Sequence, residues 1–487
     1  VSDRTAGHPT VEEDGQVSTA QHRLAGLGRR ARLAIVGGAA VVLTAATLAV
    51  PAVAPRAAAA PDDGDWVSAW SAAPQGPSTL GDFGAETFSG TQQVNAVQDV
   101  VPPPTTFTDE TVRQVLYLHH GGSAVRVQLS NEFGDRDATF PAVTVGVRDG
   151  DSGAAVEPGT QRDLTFDGEP AVTIPPGATV LSDPVDLDTE AFDHLVLSMF
   201  VPAGNGAATV HGNHMQTFFT APGDATAAEG DGAFAERGVV LNNYTSTFTT
   251  ASYYATGVHV EGEPGDRTLV TFGDSITDGF LSTGNTDSRY PDVLARRLKA
   301  DPATEHLSVT SQAISGGRVT GDGIGPSALS RIDEQILAQP NLGGVIFLQG
   351  INDLGTAVLQ GAPATADDLI AAYREIADRV HAAGVPIYIG TLTPAGNLLR
   401  PAPYGVYSAP SQVAERNAVN EWLRTEGREV FDGVIDFDAV IRDPLIPDWI
   451  ALQYDALDNL HPNDAGYRVM AESIPQEFLD EIAAGGR

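Results

Sequence analysis

The chain of 487 residues contains no cysteine. That absence excludes disulfides, thiolate metal sites and a cysteine nucleophile together. Lysine is almost absent as well: Lys299 is the only one, so arginine carries nearly all the positive charge. The 28 basic residues face 63 acidic ones, for a formal net charge of −35. A chain so poor in cations cannot neutralise a row of phosphates, which argues against a nucleic-acid partner. The excess of acid fits a strongly hydrated surface.

What is present begins with a candidate export signal. Arg29, Arg30 and Arg32 precede an apolar run from Leu33 to about Val53, and Ala57-Ala58-Ala59-Ala60 follows. A positive flank, an apolar stretch and a small-residue end are the parts of a signal peptide. The reading is a disordered N-terminus and signal peptide over 1–60, cleaved within 58–60, and a secreted bacterial protein without membrane attachment. Retention as a membrane anchor is the alternative, because the apolar run approaches spanning length.

Two styles of sequence follow, and the length accommodates both as domains. From Trp66 to about Gly262, short extended segments alternate with Gly, Pro, Asp and Asn. They include Val112–Leu118, Ala124–Leu129, Ala142–Val147, Ala171–Ile174 and His194–Phe200. Such spacing predicts an all-β sandwich or jelly roll over 61–263. After Pro264-Gly265-Asp266, apolar strands alternate with amphipathic helices. The strands are Thr268–Phe272, Leu307–Gln312, Gly344–Leu348, Pro386–Leu392 and Gly433–Phe437. The helices are Tyr290–Ala300, Ser327–Gln339, Ala366–Ala383, Ser411–Glu426 and Asp464–Ile482. That alternation predicts a parallel sheet covered on both faces, an α/β domain over 264–487.

In such a sheet, ligands collect at the carboxyl ends of the strands. The first strand ends in Gly273-Asp274-Ser275 and the second in Ile314-Ser315-Gly316-Gly317-Arg318. The third ends in Gly350-Ile351-Asn352-Asp353, and Asp458-Asn459-Leu460-His461 precedes the last helix. Acyl transfer needs these residue types. A serine must lose its proton to a base, a carboxylate must orient that base, and donors must meet the charge on the carbonyl oxygen. Each segment alone is also ordinary turn or helix-cap chemistry. Together, in order and each at a strand end or helix entrance, they point to a serine esterase. No Gly-x-Ser-x-Gly elbow surrounds Ser275, which disfavours the α/β-hydrolase class.

The four blocks resemble the SGNH, or GDSL, hydrolase family over about residues 265–487. The resemblance implies a flavodoxin-like three-layer α/β/α domain, with Ser275 as nucleophile, His461 as base and Asp458 as its partner. It assigns the oxyanion donors to Ser275, Gly316 and Asn352, with no cofactor and no metal. The second block often has Asn or Asp after its glycine, where this chain has Gly317. A leading β-domain that contains Ala124–Gly134 is similar to exported actinobacterial members related to carbohydrate acetylesterases. The expected substrate is therefore a small ester or an acylated polysaccharide, losing an acetyl or other short acyl group. A lipase, lysophospholipase or arylesterase is the alternative within enzymes, and an inactive carbohydrate-binding surface protein the alternative outside them.

The substrate rim is expected at Asp274, Arg318, Asp353, Tyr404 and Tyr407, the last two within the loop Thr393–Pro410. Neither that loop nor Phe280–Tyr290 carries a large apolar patch. His211 and His214 have a spacing that would let two imidazoles share a metal, but no third ligand stands out and a structural role is favoured.

Overall fold

The computed structural model describes residues 64–77, 105–237, 251–355, 357, 363–396 and 406–485. The expected leader and Tyr404 lie outside these residues.

The first region is built from antiparallel strands. Its main strands are Trp66–Ser71 (β1), Glu110–Tyr117 (β2), Gly122–Ser130 (β3), Val143–Val147 (β4), His194–Val201 (β5), Phe218–Pro222 (β6) and Ala255–Glu261 (β7). One sheet runs β1-β7-β3 and continues to Thr179–Leu181. The other has β6-β2-β5-β4 at its centre. Alternation decides which side chains meet. Val125, Val127 and Leu129 of β3 share one buried core with Val112 and Leu116 of β2 and with Leu195, Leu197 and Met199 of β5.

The second region is a parallel sheet of Arg267–Gly273 (β8), Leu307–Ala313 (β9), Leu342–Leu348 (β10), Ile387–Gly390 (β11) and Gly433–Ile435 (β12). Its order is β9-β8-β10-β11-β12, the 2-1-3-4-5 order of flavodoxin-like sheets. The strands are apolar on both faces because both are covered. Leu269, Ile346 and Leu348 join a core on one face, while Val270, Phe272, Val345 and Phe347 join another on the opposite face. Each such fully buried side chain contributes about 1.5–3 kcal/mol.

The helices are Ser275–Asp278 (α1), Tyr290–Lys299 (α2), Ala328–Arg331 (α3), Ile351–Leu354 (α4), Ala366–Ala382 (α5), Pro410–Arg424 (α6), Phe437–Ile441 (α7), Asp464–Ser473 (α8) and Gln476–Ala483 (α9). Thr365 and Asp368 cap α5 reciprocally, and its Leu369, Ala372, Tyr373, Ile376 and Val380 are buried at helical spacing. Two expected helices differ in the structure. Ser327–Gln339 changes from α to π geometry at Ile332–Leu337. Asp464–Ile482 is two helices, because Pro475 cannot continue the first and holds Ile474 extended at ψ 123°. Asp436 caps α7 by accepting from Ala439 N–H at 3.2 Å.

The two regions belong to one compact unit. β1 and β9 are edge strands of their sheets and meet through hydroxyl groups. Ser308 Oγ donates to the Ser68 carbonyl (2.7 Å), Ser71 Oγ to the Ser311 carbonyl (2.9 Å), and Ser68 N–H to Thr268 Oγ1 (3.1 Å). Histidines of the first region also pair with aspartates of the second: His119–Asp292 at 3.0 Å, His120–Asp266 at 2.9 Å, His194–Asp287 at 2.9 Å and His211–Asp278 at 3.0 Å. His211 and His214 therefore take separate partners, His214 Nε2 lying 2.9 Å from the Val115 carbonyl. Among the described residues no helix is long and apolar enough to cross a membrane.

Candidate active site

Ser275 is the first residue of α1, two residues beyond the end of β8. The turn between them demands glycine at 273, where a Cβ would lie 2.1 Å from Thr277 Oγ1 and 2.5 Å from the Leu348 carbonyl. Asp274 caps the helix, its Oδ1 accepting from Ile276 N–H at 3.1 Å. The serine side chain thus stands at the carboxyl end of the sheet, where β9 and β10 run to opposite sides of β8.

His461 reaches it from the loop before α8. Ser275 Oγ lies 2.8 Å from His461 Nε2, and His461 Nδ1 lies 2.5 Å from Asp458 Oδ2. The carboxylate accepts the Nδ1 proton, which leaves Nε2 as the acceptor of the serine hydroxyl. Asp458 Oδ1 accepts from the backbone N–H groups of Leu460 (3.0 Å) and His461 (2.8 Å), so the carboxylate is held at both oxygens. Burial opposes its charge, but His461 and these amides outweigh burial and keep its pKa below the ordinary value. Leu457 and Asn459, on either side of Asp458, have φ of 71° and 62°. Asp455 Oδ1 offsets that strain by accepting from both of their N–H groups at 2.9 Å. The outer face of the imidazole is covered by Phe280, edge-on at 4.8 Å.

Neither Ser275 N–H nor Gly316 N–H has a protein acceptor among the described residues. Gly316 is the third residue of a turn closed by Gly317 N–H donating to the Ile314 carbonyl at 2.8 Å, and its φ of 76° is what a type II turn requires there. Asn352 Nδ2 donates to the Gly317 carbonyl at 3.0 Å, and Asn352 Oδ1 accepts from Tyr407 Oη at 2.7 Å. Tyr407 thereby fixes which end of the amide is the donor. Gly350, preceding α4, has φ 139° and leaves no room for a Cβ, which would lie 2.4 Å from Tyr373 Oη.

The arrangement makes a graded prediction. Asn352→Ala should lower kcat on esters by on the order of 10²–10³ if its amide meets the oxyanion. Tyr407→Phe removes only the orienting bond and should cost about tenfold. Steady-state kinetics of the two variants check the ranking, and equal losses would contradict it.

The rim residues expected from sequence are placed as follows. Asp274 and Asp353 are each 1% exposed and lie beneath the site, not on its rim. Their carboxylates are consumed by backbone N–H groups: Asp353 accepts from Val319 N–H (2.8 Å) and Thr320 N–H (2.9 Å), tying the second loop to the third. Burial pushes the Asp274 carboxyl up to about 7 and raises that of Asp353 as well. Tyr407 is buried against Asn352, an inner role and not a surface one. Arg318 closes its own loop by donating to the Gly321 carbonyl at 3.1 Å.

Sequence reading missed Arg331. Its guanidinium is buried and donates to the carbonyls of Gln312 (2.6 Å) and Gly273 (3.2 Å), binding the ends of β9 and β8 from below. An arginine on the buried face of an amphipathic helix was the available signal. The exposed apolar side chains Leu445, Ile446, Leu452 and Leu457 were missed too. They lie on the segment leading into Asp458, away from the two loops in which such a surface was sought.

A serine, histidine and aspartate stand in hydrogen-bonded series at the switch point of a parallel sheet, an arrangement that can activate the serine hydroxyl as a nucleophile. Residues 271–469 match the GDSL-like lipase/acylhydrolase family. The chain is similar to a GDSL-like lipase from Bacteroides thetaiotaomicron VPI-5482 at 17% identity, covering 44% of this chain and 89% of that one, with a TM-score of 0.32. It is similar to a carbohydrate acetylesterase from Sinorhizobium meliloti at 14% identity, covering 45% and 99%, with a TM-score of 0.34. It is also similar to a variant of an acetyl-xylooligosaccharide esterase from Geobacillus Stearmophilus at 21% identity, covering 44% and 94%, with a TM-score of 0.34. No curated protein matches the chain.

Proposed function

We propose that the protein is an exported serine esterase that removes acetyl or other short acyl groups from carbohydrate. Ser275 attacks the ester carbonyl while His461 takes its proton, and Asp458 holds the imidazole and balances its charge. The N–H groups of Ser275 and Gly316 and the Asn352 amide receive the oxyanion. His461 returns the proton to the leaving alcohol, and a water that it then activates hydrolyses the acyl-serine. The observation that carries the mechanism is the 2.8 Å and 2.5 Å series from Ser275 through His461 to Asp458. Support for a small acyl group comes from the groups around it: Asn352 and Tyr407 are polar, and Phe280 packs edge-on to the imidazole. The division into a β-sandwich over 61–263 and a catalytic domain over 264–487 belongs to the same reading, as does export through the N-terminal arginine-flanked apolar run.

A second reading has its own observation. Leu445 and Leu452 are 89% and 73% exposed, on the segment that leads to Asp458. Such side chains suit a long acyl chain or a lipid surface. Hydrolysis of p-nitrophenyl esters of rising chain length, with acetate release from acetylated xylan, separates the two. Activity falling beyond short chains, with acetate released, is the expected result. A maximum at long chains without acetate release selects the lipase reading.

A further inference from the structure

The Asp278 carboxylate, 1% exposed, joins the first region to the site without belonging to the serine–histidine–aspartate series. Its Oδ2 accepts from both the N–H (3.1 Å) and the hydroxyl (2.7 Å) of Ser315. Its Oδ1 lies 3.0 Å from His211 Nε2. His211 in turn is held at Nδ1, 3.0 Å from the Ala73 carbonyl. The strand pair around it is fixed by Gln75, which exchanges backbone hydrogen bonds with Val210 (2.7 and 3.0 Å) and accepts from Gly212 N–H through its side chain (2.9 Å). Asn213 Nδ2 adds a bond to the Asp278 carbonyl at 3.3 Å.

We infer that His211 is a positioning residue for ester hydrolysis, acting through Asp278 on the Ser315–Gly316 turn. The inference rests on the reading of Gly316 N–H as an oxyanion donor. The direction of that N–H is set by the peptide between Ser315 and Gly316. With glycine at 316 and again at 317, little steric resistance opposes rotation of that peptide. The turn is therefore held from its Ser315 side, where the carboxylate grips two donors at once. A carboxyl group buried this deeply needs hydrogen-bond partners, and His211 supplies one from the other region. The β-stranded region is thus part of the device that aims an oxyanion donor, and it does so without touching substrate.

The test uses the full chain and p-nitrophenyl acetate. His211→Ala should lower kcat about 10- to 100-fold with KM within about twofold, because misaiming a donor weakens the transition state more than the bound ester. His211→Gln, whose amide can still donate toward Asp278, should recover part of the loss. Ser315→Ala should lower kcat similarly, and the double variant His211→Ala/Ser315→Ala should be no worse than the poorer single one, since both cut the same connection. His194→Ala breaks another pair across the same boundary and should leave kcat unchanged. A wild-type kcat in His211→Ala overturns the inference, as do multiplicative losses in the double variant or an equal loss in His194→Ala. Should His211→Ala fail to fold, the same comparisons are read from His211→Gln and Ser315→Ala, with additivity again overturning it. Ser275→Ala run in parallel separates the levels: if that variant still turns over, the mechanism itself fails, whereas an inactive Ser275→Ala beside a wild-type His211→Ala refutes only the positioning role.

Discussion

Ser275→Ala should eliminate turnover, lowering kcat by on the order of 10⁶ while the fold is retained. The side chain is buried, and alanine keeps its β-carbon. Its hydroxyl makes one bond, to His461 Nε2 at 2.8 Å. Removing it costs stability little and chemistry nearly everything, because no other hydroxyl is shown bonded to that nitrogen. His461→Ala should be about as damaging, and the double variant no worse than either single one, since the residues act as one unit. Steady-state rates on p-nitrophenyl acetate measure the loss, and mass spectrometry of the quenched enzyme should show an acyl adduct in wild type alone. Turnover within tenfold of wild type in Ser275→Ala would falsify the mechanism.

Asp458→Asn should lower kcat by on the order of 10⁴ with KM little changed. The substitution preserves shape, and its side-chain carbonyl can still accept from Leu460 and His461 N–H, so the loop should hold. What changes is the proton on the imidazole. An amide NH₂ placed against Nδ1 moves that proton to Nε2, and the Ser275 hydroxyl then has no acceptor. Stability should respond to pH in a defined direction. The Asp458 pKa is depressed in the folded protein, so its contribution is present above the ordinary carboxylate range and is lost as pH falls through the folded value. Denaturant unfolding should therefore show the variant's deficit narrowing as the medium is acidified below that range. A constant deficit across pH would show that Asp458 stabilises by packing and not by charge.

The sheet and the residues gathered at its carboxyl ends were legible because each rests on a local pattern. Apolar runs such as Leu269–Phe272 admit few structures, and Ser275, Asn352 and His461 each closely follow a strand or precede a helix in sequence. The split of Asp464–Ile482 was written in Pro475 and could have been read. The assignments that moved concern direction, which periodicity does not carry. Asp274 and Asp353 were placed on the rim because they neighbour site residues, yet their carboxylates turn inward to backbone N–H groups. Tyr407 was sought as a surface group and instead orients Asn352 from across 55 positions of chain. Arg331 and His211 act through carbonyls and carboxylates distant in sequence, and no spacing rule connects His211 to Asp278. The apolar side chains Leu445, Ile446, Leu452 and Leu457 escaped because what sets them apart is their exposure, which is decided only once the chain has folded.

The hydroxyl contacts between β1 and β9 bear on how the molecule avoids sticking to copies of itself. Each of those strands is the last in its sheet, and an outermost strand offers unpaired backbone groups to any other strand in solution. Here each shields the other: the hydroxyls of Ser71, of Ser308 and of Thr268 on the adjacent β8 bond to backbone groups of Ser311 and Ser68, so that the sheets meet without merging into one ladder. Cutting the chain near residue 264 to obtain a smaller enzyme would bare the β9 margin along its length. The β-stranded region is in this sense a permanent internal chaperone for the parallel sheet.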